Sequence, residues 1–190
     1  MTPDAWRLFV AVPIGDRLRA DLEGAVAHWR DRADLAGLRW TDAATWHLTL
    51  AFMGATDACA VPGILDGLRS VAVRCEPMRL VTGGLGAFPS AGRARVAWYG
   101  IADPERRLAT LARDVAIAVG LEDAGRFRAH ITLARARAKP ADLRAWLARA
   151  DPPVGGLGVD RVDLMRSHLG RGPARYEVLE SLPLGVAAHV

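Results

Sequence analysis

Along the chain, short apolar runs alternate with stretches in which apolar residues return every three or four positions. Leu8-Phe9-Val10-Ala11-Val12, closed by Pro13, is a β-prone run and reads as a buried strand. After Asp16, apolar Leu18, Leu22, Ala25, Val26 and Trp29 return at helical steps with Arg17, Asp21, Glu23 and Arg30 opposite. This predicts an amphipathic helix to about Leu35. Leu38-Arg39-Trp40 reads as a short edge strand, Trp46 to Met53 as a strand stopped by Gly54, and Val61 to Val73 as a helix with Ile64, Leu65, Leu68 and Val71 inward. Met78 to Thr82 begins extended structure, Gly83, Gly84 and Gly86 mark a bend, and Phe88 to Gly92 is a loop.

The same order then returns. Arg95 to Tyr99 is a strand, and Asp103-Pro104-Glu105 offers a cap, a first-turn proline and a first-turn acid for a helix reaching about Val119, ended by Gly120. Leu108, Leu111, Ala112 and Val115 form its inner stripe. Arg128 to Ala134 is a strand, Pro140 to Ala150 a short helix, and Gly158 to Arg166 and Ala174 to Leu182 two further strands. Strand, helix, strand, helix and extended segment thus run from Leu8 to Thr82 and again from Arg95 to Met165. A duplicated α+β unit with its matching strands about a pseudo-two-fold axis is the simplest account. No polar linker divides the chain, so residues 1–190 are expected to form a single domain of two pseudo-symmetric lobes.

Composition narrows this little. A chain 51% hydrophobic and 24% charged is that of an ordinary soluble globular protein, and its N-terminal apolar run is too short for a membrane span or a signal peptide, which points to the cytoplasm. Cys59 and Cys75 lie 16 positions apart, in no metal-binding or Cys-x-x-Cys spacing, and are expected to be reduced. The net charge of +4 suits a polyanionic partner, although only Lys139 of the 25 basic residues is a lysine and a coding bias toward Arg explains the charge as well.

The chemistry sits in two matching strings, His47-Leu48-Thr49-Leu50 and His130-Ile131-Thr132-Leu133. With 5 His in the chain, composition predicts on the order of 0.03 His-x-Thr-Leu strings against the two present. Side chains alternate across a strand, so each motif places an imidazole and a hydroxyl on one face and two apolar anchors on the other. Two such strands brought together frame a polar groove suited to a phosphate undergoing in-line displacement. One histidine takes a proton from the entering oxygen, the other gives one to the departing oxygen, and the threonines steady the oxyanions. Arg135 joins that face only if the alternation is interrupted once.

These stretches resemble the 2H phosphoesterase superfamily, and within it the RNA 2′,3′-cyclic phosphodiesterases, also called 2′-5′ RNA ligases. Arg7 to Val12 looks like that family's first strand, Trp46 to Gly54 like its first motif and Phe127 to Arg135 like its second, with Ser167 to Gly170 and Ala174 to Leu179 also matching. The resemblance implies a duplicated bilobal α+β fold, two antiparallel sheets around a central cleft with helices outside. It implies hydrolysis of a 2′,3′-cyclic phosphate to a 2′-phosphate, with 2′-5′ ligation as the reverse reaction and no metal or nucleotide cofactor. By resemblance His47 is the proton donor, His130 the base, Thr49, Thr132 and Arg135 the phosphate ligands, and Phe9 part of the cleft lining. The expected partners are RNA or oligonucleotide ends bearing a cyclic phosphate, with no membrane, and the chain is expected to act as a monomer. Met165 and Ala129 depart from the family pattern; neither removes a proton-transfer group, and Met165 bears on base stacking.

Two other functions fit the same motifs: a phosphodiesterase for a smaller cyclic nucleotide, and a non-catalytic RNA or nucleotide-phosphate binding module. Of the remaining histidines, His28 and His189 read as solvent-facing. Ser167-His168 would need an acid partner to form a triad. The six tryptophans read as packing, and Arg93 and Arg95 as either RNA contacts or a solvated basic face.

Overall fold

The computed structural model describes residues 5–121, 127–168, 170 and 174–186; His189 and residues 171–173 lie outside them. The nine strands among the described residues are β1 (Ala5–Pro13), β2 (Leu38–Trp40), β3 (His47–Asp57), β4 (Met78–Phe88), β5 (Val96–Ala102), β6 (His130–Ala136), β7 (Gly156–Val159), β8 (Arg161–His168) and β9 (Arg175–Pro183). The four α-helices among the same residues are α1 (Asp16–Arg30), α2 (Val61–Arg74), α3 (Arg107–Ala118) and α4 (Arg144–Arg149).

The strands form one curled antiparallel sheet in the order β7-β4-β5-β6-β3-β1-β8-β9, with β2 added beside β6. The two half-sheets, β7-β4-β5-β6 and β3-β1-β8-β9, meet through the single pair Leu48 and Ile131. Beyond that point β3 follows β1, while β6 is edged by β2 through Leu38 to Trp40. The divergence opens a cleft between the halves. The third strand of each sequence unit is exchanged, β4 pairing with β5 and β8 with β1.

Helical stripes bury where their periodicity places them: Leu18, Leu22, Val26 and Trp29 on α1, Ile64, Leu68 and Val71 on α2, and Leu108, Leu111, Ala112 and Val115 on α3. Each fully buried Leu or Val contributes roughly 1.5–3 kcal/mol of apolar transfer free energy. These helices lock onto a core that also contains Leu8, Val10, Val12, Leu48, Leu50, Ile131 and Leu133.

Several local expectations are corrected by the fold. The first helix ends at Arg30, and a separate 3-10 turn, Ala33–Leu35, buries Leu35. Gly54 does not stop its strand. With φ of 70° it is left-handed, the β1–β3 register skips Met53 beside it, and β3 continues through this bulge to Asp57. The glycines from Gly83 to Gly86 likewise lie inside β4, which is irregular between Thr82 and Leu85. Asp103 accepts the Ala109 backbone N–H at 2.8 Å, and α3 begins at Arg107 after a left-handed Arg106, later than the proline-led start predicted. The segment from Gly158 to Arg166 breaks at Asp160 into β7 and β8, which pair with β4 and β1 in opposite half-sheets.

Candidate active site

β3 and β6 each begin with the histidine of their motif, and alternation does the rest. Leu48, Leu50, Ile131 and Leu133 are buried, while His47, Thr49, His130 and Thr132 line one cleft of about 1350 Å³. The Leu48–Ile131 pair places the two motifs side by side in antiparallel strands.

Both imidazoles are held in the same way. His47 Nδ1 lies 2.8 Å from the Thr45 carbonyl oxygen, and His130 Nδ1 lies 2.7 Å from that of Arg128. A carbonyl only accepts, so each Nδ1 carries the hydrogen. That leaves Nε2 as the group that gains or loses a proton. Each ring is also packed by aromatic neighbours. His47 lies 4.9 Å from Phe9 and 5.2 Å, edge-on, from Tyr176. His130 lies 5.0 Å, edge-on, from Phe88 and 6.1 Å from Trp98.

Burial is the largest influence on both histidines and holds each below the ordinary value of 6.5, against the carbonyl bond, which raises it. Charge on His130 and Arg135 further lowers His47, and Arg135 and Arg128 further lower His130. His47 thus senses the charge of His130 across the cleft.

Arg135 lines the same cleft as His130 and Thr132. The interruption its placement requires is present: β5 and β6 pair Ala97 with Ala134 and Trp98 with Thr132, leaving Leu133 as an extra residue. This bulge buries Leu133 and Ala134 in succession and returns Arg135 to the motif face. β3 carries the counterpart, its register with β1 skipping Leu50, so that Phe52 occupies the position matching Arg135. Phe52 lines the cleft, with the Arg7 guanidinium 4.6 Å from its ring centroid. Phe9 also lines the cleft, almost fully buried against His47. Five arginines, Arg7, Arg30, Arg39, Arg135 and Arg137, face Glu23 and Asp42 around this lining, giving it a positive field.

Sequence reasoning did not single out Phe88, Trp98 or Tyr176 as histidine partners. Tyr176 fell within a matching stretch, and Trp98 lay on a predicted strand, but only strand pairing sets them beside the imidazoles. Trp98 needs the absence of a side chain at Gly86, where a Cβ would fall 2.1 Å from its ring. Met165 pairs with Phe9 across β1 and β8.

The remaining candidates fall away from this centre. Ser167 lines the cleft, but the adjacent His168 points to the other face and bonds Glu177 at 2.9 Å, so the two form no triad. His28 is exposed on α1. Arg93 and Arg95 are exposed, and the cleft lining does not include them. Both cysteines are free thiols. Among the described residues no cluster of three His, Cys, Asp or Glu could hold a metal, and no helix is long and apolar enough to cross a membrane.

A curled antiparallel sheet with twin His-x-Thr strands on one basic cleft defines a class of phosphoesterase, and the profile of LigT-like phosphoesterases matches residues 12–98. The chain belongs to that family. An RNA 2′,3′-cyclic phosphodiesterase of Aeropyrum pernix is 31% identical over 165 residues, 82% of this chain and 93% of the relative. Another, of Geobacillus stearothermophilus, is 28% identical over 183 residues; the match takes in 93% of this chain but only 56% of that relative. The structure of E. coli LigT complexed with phosphate superposes with a TM-score of 0.69 at 27% identity, over 95% of this chain and 98% of LigT.

Proposed function

We propose that the protein hydrolyses the 2′,3′-cyclic phosphate at an RNA or oligonucleotide end to a 2′-phosphate, by general acid and base catalysis from its two motif histidines. The observation that carries this reading is the matched pair His47 and His130, each with its Nδ1 on a backbone carbonyl and both lining the cleft that Arg135 enters. The curated relatives carry the corresponding name.

In the proposed reaction a water molecule gives a proton to His130 Nε2 as its oxygen attacks phosphorus. The bond from phosphorus to the 3′ oxygen breaks opposite, and that oxygen takes the proton from His47 Nε2. His130 is the less deeply buried of the pair, which suits the partner of solvent water. Thr49, Thr132 and Arg135 hold the non-bridging oxygens, whose charge grows in the transition state. With a 5′ hydroxyl in place of water, the same proton transfers in the same direction join 2′-5′ ends, and their reversal cleaves such a linkage. The proposal extends to a single domain of two pseudo-symmetric lobes, supported by the mirrored strand order, working as a cytoplasmic monomer.

Turnover of a short RNA 2′,3′-cyclic phosphate is measured in EDTA for the wild type, His47→Ala and His130→Ala, with the product isomer identified. The expected result is 2′-phosphate formation that survives chelation and is lost in both variants. Turnover only of mononucleoside cyclic phosphates would move the substrate to smaller nucleotides. Binding without turnover by folded protein would leave a phosphate-binding module.

A further inference from the structure

Two half-sheets that touch through one residue pair are a weak frame for two histidines that must address one phosphate from opposite sides. A second tie crosses the same junction. Thr41, just after β2, donates its backbone N–H to the Leu133 carbonyl at 2.9 Å, and its hydroxyl lies 2.8 Å from that oxygen and 2.9 Å from the Thr132 carbonyl. The same hydroxyl accepts the indole N–H of buried Trp46 at 2.8 Å. Trp46 directly precedes His47, and Leu133 is the bulge residue that turns Arg135 into the cleft. One hydroxyl therefore joins the chain entering one motif to the bulge in the other.

We propose that Thr41 is a positioning residue for the phosphate site. With Trp46 it fixes the spacing of the two half-sites and holds the Leu133 bulge, so that Thr132 and Arg135 converge on the phosphate. The inference deepens the phosphodiesterase reading and rests on it for what the spacing serves. Thr41 has one hydroxyl hydrogen to share between two carbonyls and one lone-pair direction for the indole. Serine preserves all of this, and valine keeps the volume and removes all of it.

The test measures inorganic phosphate affinity and cyclic-phosphate turnover for the wild type, Thr41→Val, Thr41→Ser, Arg135→Ala and Thr41→Val/Arg135→Ala, at a temperature where circular dichroism shows all folded. Thr41→Val is expected to weaken phosphate binding and lower kcat/KM about tenfold, and Thr41→Ser to stay within about threefold of wild type. In the Arg135→Ala background the valine is expected to cost less than about threefold, because the aim of an absent arginine no longer matters. A purely structural role moves the melting temperature and leaves this coupling at zero. Phosphate affinity within about twofold of wild type in Thr41→Val, or an equal loss with and without Arg135, overturns the proposal. Should Thr41→Val fail to fold, the same criteria apply to Trp46→Phe, which cuts the tie at its other end without leaving a buried donor. A wild type that binds phosphate but turns over no cyclic phosphate defeats the phosphodiesterase reading instead, while the affinities still judge Thr41; a wild type that binds no phosphate defeats both.

Discussion

The Phe9 ring lies 4.9 Å from the His47 imidazole with the planes tilted by 31°, so a residue of β1 closes off one side of the proposed general acid. Burial is also the main reason His47 titrates below its ordinary range. Phe9→Leu admits water beside His47 and should raise that pKa toward 6.5 while leaving His130, packed by Phe88 and Trp98, where it is. Histidine titration by NMR reads both shifts. Because Phe9 is a core residue, a stability loss of about 1–2 kcal/mol should accompany the change in a urea melt.

The pH dependence follows from the same burial. Both free-enzyme histidines sit below 6.5, and the active form has one protonated and one neutral, so the maximum of kcat/KM should fall on the acid side of pH 6.5. A bound phosphate anion favours both imidazolium forms, and the maximum of kcat should lie at higher pH. For stability, the unfolded chain binds more protons than the native one below 6.5. Stability should therefore be complete above that value and decline as pH falls through the native pKa values. Urea unfolding between pH 7.5 and 5 should show the decline, and a His47→Gln/His130→Gln variant should flatten it.

Gly86 exists to seat Trp98. A methyl group there would meet the indole 2.1 Å away, and Gly86→Ala should displace Trp98 from His130 and cost about 1–3 kcal/mol in unfolding free energy. Turnover should fall with it at temperatures where the variant remains folded. Gly24, on α1 with open space around its Cβ position, is the control; Gly24→Ala should stabilise the protein by roughly 0.5–1 kcal/mol and leave turnover unchanged.

Arg135 provides a planar fork where lysine offers a point charge. Arg135→Ala should lower kcat/KM by about 100-fold and Arg135→Lys by about tenfold, with the phosphate affinity following in both. Wild-type activity in Arg135→Lys would mean that charge alone, and not bidentate geometry, matters at this position, and equal loss in the two variants would mean that a point charge contributes nothing there.

The motif histidines and threonines were readable because a two-residue period needs no knowledge of neighbouring strands. Arg135 was legible only through the family resemblance and as a conditional placement, since its side of the strand depends on a bulge at Leu133 that exists only in the pairing with β5. Gly54 and the glycines of β4 misled for the same reason, as isolated glycines read as stops when a partner strand can absorb them as irregularities. The break at Asp160 was equally hidden. Gly158 to Arg166 alternates well enough for one strand, and only the exchange between half-sheets makes it two. Thr41 gave no local signal, because its partners Thr132 and Leu133 lie more than ninety positions away.

That exchange also bears on how the protein emerges from the ribosome. β1, the strand behind His47, has β8 as its outer neighbour, and β4 waits for β5 before the His130 side can begin to close. A nascent chain stalled anywhere before β8 holds His47 beside an unpaired sheet edge. Activity should thus appear only once β8 has been released, with both halves acquiring their shape together.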